Sequence, residues 1–175
     1  MSIIAQARTA ANVNAASNAA QVFPDQQNPT SPVFIQIPGS GRFEQKRFKV
    51  RASGFATSAG ATTTFQPTLY AGSSLTAGSN TILGAATATV INTTSAPWWI
   101  ELQAIFDSIS GKLQGTFSAM INNSMIAAAA LANVVTGLSA QTEPVLTICC
   151  GITFSVANAG NIGGLKYLVL DDETA

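Results

Sequence analysis

The stretch Trp98-Trp99-Ile100-Glu101-Leu102-Gln103-Ala104-Ile105-Phe106, followed by Lys112-Leu113-Gln114-Gly115-Thr116-Phe117-Ser118-Ala119-Met120-Ile121, decides the fold. In the first half Trp98, Ile100, Leu102, Ala104 and Phe106 alternate with Trp99, Glu101, Gln103 and Ile105. In the second, Leu113, Phe117, Ala119 and Ile121 alternate with Lys112, Gln114, Thr116 and Ser118. A period of two is that of a strand with one buried face. The connecting Asp107-Ser108-Ile109-Ser110-Gly111 has hairpin length and turn chemistry. The same period recurs upstream, where Phe48, Val50 and Ala52 alternate with Arg47, Lys49 and Arg51, one face apolar and the other basic. Further strands are predicted over 33–37, 63–70, 81–91, 145–156 and 165–170. About eight strands separated by Gly, Ser and Asn turns point to an all-β protein, a jelly roll or related antiparallel β-sandwich.

Two kinds of segment depart from this texture. Residues 1–32 are rich in Ala, Asn, Gln and Ser, hold no aromatic before Phe23, and end in Pro24, Asn28-Pro29 and Ser31-Pro32. They read as an N-terminal arm preceding a β-sandwich domain over 33–175. Within the arm Ile3, Ile4, Ala7, Ala10, Ala11 and Val13 could form the thin apolar stripe of a short helix, too small for a core but able to dock on a neighbour. Residues 124–135 contain good helix formers behind Ser124 as a cap, and they read as either a helix or a crossing segment. The Ala, Gly, Ser and Thr of 56–64 and 71–88 fit close strand packing and loops equally well.

The 175 residues suit one domain with a tail. Charged residues make up only 9% at a formal net charge of +0, against roughly 25% in an ordinary domain. Ser, Thr, Asn and Gln must therefore coat the surface, and such a coat has little self-repulsion to hold copies apart. That favours a subunit buried in an assembly. No apolar run reaches the roughly 20 residues that span a bilayer, and the first 20 residues lack a signal-peptide pattern, so a cytosolic product with no membrane partner is expected. Cys149 and Cys150 are adjacent in an apolar strand and should face opposite ways, as small buried thiols rather than a disulfide.

Chemistry-bearing patterns are scarce. With no histidine, the usual general base and the commonest metal ligand are missing. Glu101 and Asp107 could in principle flank a glycosidic bond, but a solvated strand face and a hairpin turn account for them. Gly39-Ser40-Gly41 precedes a strand, not a helix, and is a turn rather than a phosphate loop. Asp171-Asp172-Glu173 reads as an acidic tail without the fixed cage of a calcium site. No catalytic residue, cofactor or metal is therefore expected. The one concentration of charge is Arg42, Lys46, Arg47, Lys49 and Arg51. Glu44 interrupts it, and Phe43 and Phe48 suit a core better than base stacking, which disfavours nucleic acid. The preferred reading is a basic strip, Arg47, Lys49 and Arg51, meeting an acidic surface on a partner protein.

The phrases Phe48-Lys49-Val50-Arg51-Ala52-Ser53-Gly54, Thr68-Leu69-Tyr70-Ala71-Gly72, Trp98-Trp99-Ile100-Glu101-Leu102 and Lys112-Leu113-Gln114-Gly115-Thr116-Phe117 resemble small virion proteins of tailed bacteriophages that decorate or cement the capsid. The resemblance lies in strand texture across the middle and end of the chain. It implies a jelly-roll subunit, a homotrimer on the capsid surface, bound to the major capsid protein or other virion subunits, with a terminal arm reaching across capsomers. It carries over no site. Two other readings stand beside it. One is a tail, baseplate or fibre component of the same virion. The other is a carbohydrate-binding module in which Trp98 or Trp99 stacks on sugar, alternation placing only one of them on the outer face.

Overall fold

The computed structural model describes residues 2–6, 13–14, 18–38, 47–91, 94–107, 112–131 and 145–172. In chain order the strands are β1 (Ser2–Gln6), β2 (Val13–Asn14), β3 (Gln21–Val22), β4 (Phe34–Pro38), β5 (Arg47–Thr57), β6 (Thr64–Ala71) and β7 (Thr81–Ala86). They continue with β8 (Thr89–Val90), β9 (Ala96–Asp107), β10 (Lys112–Ile121), β11 (Ser124–Ile126), β12 (Ala128–Leu131), β13 (Val145–Phe154) and β14 (Ile162–Asp172). Sheet one runs β1-β14-β5-β9-β10-β11, with β2 also on β14. Sheet two runs β12-β7-β6-β13-β3, with β4 also on β13 and β8 on β6. Every pairing is antiparallel, from the long β9–β10 hairpin to the two-residue β2 and β3 contacts. The protein is thus an all-β, two-sheet antiparallel sandwich.

The core lies between the sheets and follows the alternation. Phe48, Val50 and Ala52 on β5, Ile100 and Leu102 on β9, and Leu168 and Leu170 on β14 are all fully buried. From sheet two, Phe65, Leu69, Leu83, Ile148, Cys150 and Phe154 close against them. At the centre is Trp98, 1% exposed, stacked on Phe23 at 6.2 Å between ring centroids and tilted against Phe65 at 5.9 Å. Each such aromatic contributes roughly 1.5–3 kcal/mol by burial, with about 0.5–1.5 kcal/mol more from ring–ring geometry.

Phe23 belongs to the segment read as a separate arm, and here the structure departs from that reading. Among the described residues of 1–32 there is no helix: β1 and β2 pair with β14 in sheet one, and β3 pairs with β13 in sheet two. Val13, Val22 and Phe23 are 7%, 4% and 0% exposed. The Pro-rich run is not a boundary but a loop that leaves and rejoins one edge of β13. Its neck is a Pro24–Pro32 bridge with Asp25 N donating to Ser31 O, and β3 and β4 occupy successive stretches of the same strand. The physical reason is that the edges of β13 and β14 carry unpaired backbone groups, and even a poorly apolar chain satisfies them.

Residues 124–135 likewise form strand, not helix, as far as they are described. Asn122 and Asn123 have φ of 50° and 64°, the two left-handed positions of a tight hairpin turn, and they fold β11 back on β10. Ser124 therefore starts a strand rather than capping a helix, β12 goes on to pair with β7, and 132–135 lie outside the described residues. The turn at 108–111 also lies outside them, but Asp107 opposite Lys112 and Trp98 opposite Ile121 give the expected hairpin register. The ambiguous 71–88 stretch is the end of β6, a loop with a 3-10 turn at Ala77–Ser79, and β7.

Candidate functional site

The outer face of sheet one gathers most of the described polar and aromatic side chains singled out by sequence. Register across β10, β9, β5 and β14 sets them in ranks. Met120, Trp99, Ser53 and Tyr167 form one, and Ser118, Glu101, Arg51 and Val169 the next. Thr116, Gln103, Lys49 and Asp171 form a third, and Gln114, Ile105 and Arg47 a fourth. The face thus has an aromatic end and a charged end.

At the charged end the basic strip is found as expected along β5, with Phe48, Val50 and Ala52 behind it. Two of its three members, Lys49 and Arg51, have acidic neighbours within the chain. Arg51 Nη2 donates to Asp171 Oδ2, and Lys49 Nζ lies 4.0 Å from Glu101 Oε1, which also accepts from Gln103 Nε2 at 2.9 Å. Asp171, read as part of an acidic tail, is a buried member of β14 at 1% exposure. Its Oδ1 and the Nε of Arg51 are buried without a hydrogen-bond partner among the described residues. Asp172 ends β14, and Glu173 lies outside the described residues. Arg47, exposed at the end of the row, lines an open hollow of about 280 Å3 with Gln103, Gln114 and Thr116. Arg42 and Lys46, Phe43 and Glu44, and the Gly39-Ser40-Gly41 turn lie outside the described residues.

The other predicted docking residues are divided. Ile3 and Ile4 are in β1, on the edge of β14, with their side chains outside the description. Ala7, Ala10 and Ala11 also lie outside the described residues. Val13 is taken into the chain's own core and is not available as a docking anchor.

At the aromatic end Trp99 faces outward while Trp98 is buried, as alternation required. Tyr167, 40% exposed, stands two strands away with Ser53 between them in register. Its position depends on a bulge: pairing of β14 with β5 slips between Leu165 and Tyr167, leaving Lys166 as the extra residue. Gly54 permits this, since a Cβ there would lie 1.8 Å from the Gly164 carbonyl oxygen. Lys166 lies over the Phe55 ring, 5.1 Å from its centroid. Trp99, Tyr167, Arg51 and Glu101 line a hollow of about 230 Å3, with Ile100 completing it. Sequence reasoning gave Tyr167 no role. The alternation of Tyr167, Val169 and Asp171 with Leu168 and Leu170 was a readable signal, but the bulge that aims the ring was not.

Both cysteine thiols are held away from water. Cys149 and Cys150 are free and buried on opposite faces of β13, Cys150 in the main core and Cys149 in a small outer cluster with Val22, Tyr70 and Ala77. Burial pushes the Cys149 thiol up to about 12 and that of Cys150 well above its ordinary value. Among the described residues there is no group of His, Cys, Asp or Glu able to hold a metal.

No family model matches the chain. No curated protein matches it either. Among solved structures it is similar to a conserved carbohydrate esterase from the Shiga toxin-encoding bacteriophage phi24B, at 11% identity over 97% of this chain and 90% of that one, with a TM-score of 0.38. It is also similar to a mutant alginate lyase in complex with alginate trisaccharide, at 8% identity over 95% and 87% of the two chains, TM-score 0.38. Likeness this slight assigns neither family nor activity, and the sandwich rests on the strand pairing.

Proposed function

We propose that this chain is a non-catalytic structural subunit of a virion. In this reading it is a decoration or cement protein of a tailed-bacteriophage capsid, binding the major capsid protein or neighbouring subunits as a homotrimer. The observation that carries the reading is the near-neutral surface. With 9% charged residues, and with Lys49, Arg51, Glu101 and Asp171 engaged within one sheet face, little charge is left to keep copies apart. Large apolar side chains accompany it at the surface, Met125 at 68% and Val90 at 52% exposure among them. Such surfaces are stabilised by burial against copies or partners, and contacts repeated around a symmetry axis add through multivalency.

Because Arg51 and Lys49 have acidic neighbours in their own chain, Arg47 is the described member of the strip on which this reading places the basic contact with a partner. The test is light scattering of the purified protein at micromolar concentration. The expected mass is three times the 18.0 kDa chain mass, and a stable monomer at 18.0 kDa overturns the reading. Copy number in purified particles separates head from tail: a decoration protein matches the major capsid protein in amount, and a tail, baseplate or fibre component does not.

A further inference from the structure

We infer that the hollow between Trp99 and Tyr167 is a binding site for one pyranose ring of a neutral carbohydrate. The inference does not rest on the virion reading. It starts from what a sugar ring requires: flat apolar surface for its C–H faces, and donors and acceptors side by side for the hydroxyls at its rim.

The outer face of sheet one supplies both within one depression. Trp99 and Tyr167 share a rank with only Ser53 between them, so their backbones stand about 10 Å apart, two strand spacings. Both rings line the same hollow, which lies on their Arg51 and Glu101 side. In the adjoining rank, Arg51 brings donors and Glu101 acceptors to the same hollow. The guanidinium is balanced by Asp171 and the Glu101 carboxylate by Lys49, so the site carries polarity without net charge. That balance favours an uncharged polyol over a phosphate, an acidic sugar or a cation.

Size points the same way. The hollow, about 230 Å3 and open to solvent, is below the usual size of a pocket that encloses a larger ligand, which suits one ring rather than a buried oligosaccharide. The walls stand on three hydrogen-bonded strands, and the bulge at Lys166 with Gly54 beside it fixes where Tyr167 points, so the aromatic surfaces are set before any ligand arrives. A tyrosine 40% exposed on the sheet face, two strands from an outward-facing tryptophan, offers ring surface to a sugar.

The experiment is saturation-transfer NMR on the full chain with the methyl glycosides of glucose, galactose, mannose and N-acetylglucosamine, paired with titration of tryptophan emission. Saturable binding of at least one glycoside with a millimolar Kd is expected, weakened about tenfold or more in Trp99→Ala and in Tyr167→Ala, and weakened in Glu101→Gln. Tyr167→Ala alters an exposed ring and provides the folded variant should Trp99→Ala fail to fold. Absence of saturable binding by all of these sugars, or binding unchanged in the folded aromatic variants, overturns the inference. Loss of self-association in Trp99→Ala without any sugar response would assign the hollow to a protein contact instead, and leave the virion reading standing.

Discussion

Arg51 and Asp171 share an ion pair but not an environment, since the arginine keeps 40% of its side chain exposed while the aspartate keeps 1%. Removing the arginine strands a buried carboxylate. Removing the carboxylate leaves a guanidinium that can turn to water. Arg51→Gln is therefore expected to cost about 3–5 kcal/mol and Asp171→Asn about 1–3 kcal/mol in urea unfolding. Equal losses would show that Asp171 is solvated in solution. The two cysteines give a second residue-scale test. Their thiols titrate higher in the folded chain than the ordinary 9.0, Cys149 at about 12, so between those values the unfolded chain has lost protons that the folded chain keeps. Stability is thus fully present below pH 9 and falls as pH rises from 9 towards 12, by at most about 1.4 kcal/mol per pH unit for each thiol. Tyr70, also raised by burial, adds to the fall above pH 10.0. The Cys149→Ala, Cys150→Ala double variant should show a shallower decline in urea midpoints across that window. An unchanged slope would place the thiols in contact with water.

At the scale of elements, β3 and the residue after it matter more than their length suggests. Phe23 is fully buried and stacks on Trp98. Phe23→Ala should therefore cost about 3–5 kcal/mol by chemical denaturation. Deleting residues 1–32 should lower the melting temperature sharply, whereas a removable arm would leave both measurements nearly unchanged. The contrast shows what was readable. The strands of the β9–β10 hairpin, β5 and β13 carry several alternations each, and period two is a local signal. A two-residue strand such as β3 has no period, and its place is decided by the edge of β13, more than a hundred residues away. Residues 124–135 were opaque because runs of alanine show no amphipathic face. The Asn122-Asn123 pair before them did carry a turn signal, of the kind that reverses a hairpin. For the candidate site, alternation along β5 placed the basic row, but Asp171 lies 120 positions from Arg51 and only sheet order brings them together.

For the whole molecule, sequence supplied the class and not the wiring. Composition and strand texture implied a sandwich, but the chain moves repeatedly between sheets, and nothing local specifies that β14 lies between β1 and β5 or that β13 lies between β6 and β4. Most pairings join distant segments, so the entropy of closing long loops precedes the gain from burial, as in other sandwiches. Ser2 pairs with Asp172, so the first and last described residues sit side by side at one end of an antiparallel pair. A load drawing these two points apart acts across β1 and β14 and opens their hydrogen bonds one after another, like a zip, where the same bonds pulled lengthwise would have to break together. Tension delivered through both ends would peel β1 away first and bring Asp171, with the carboxylate that holds Arg51, to the newly opened edge.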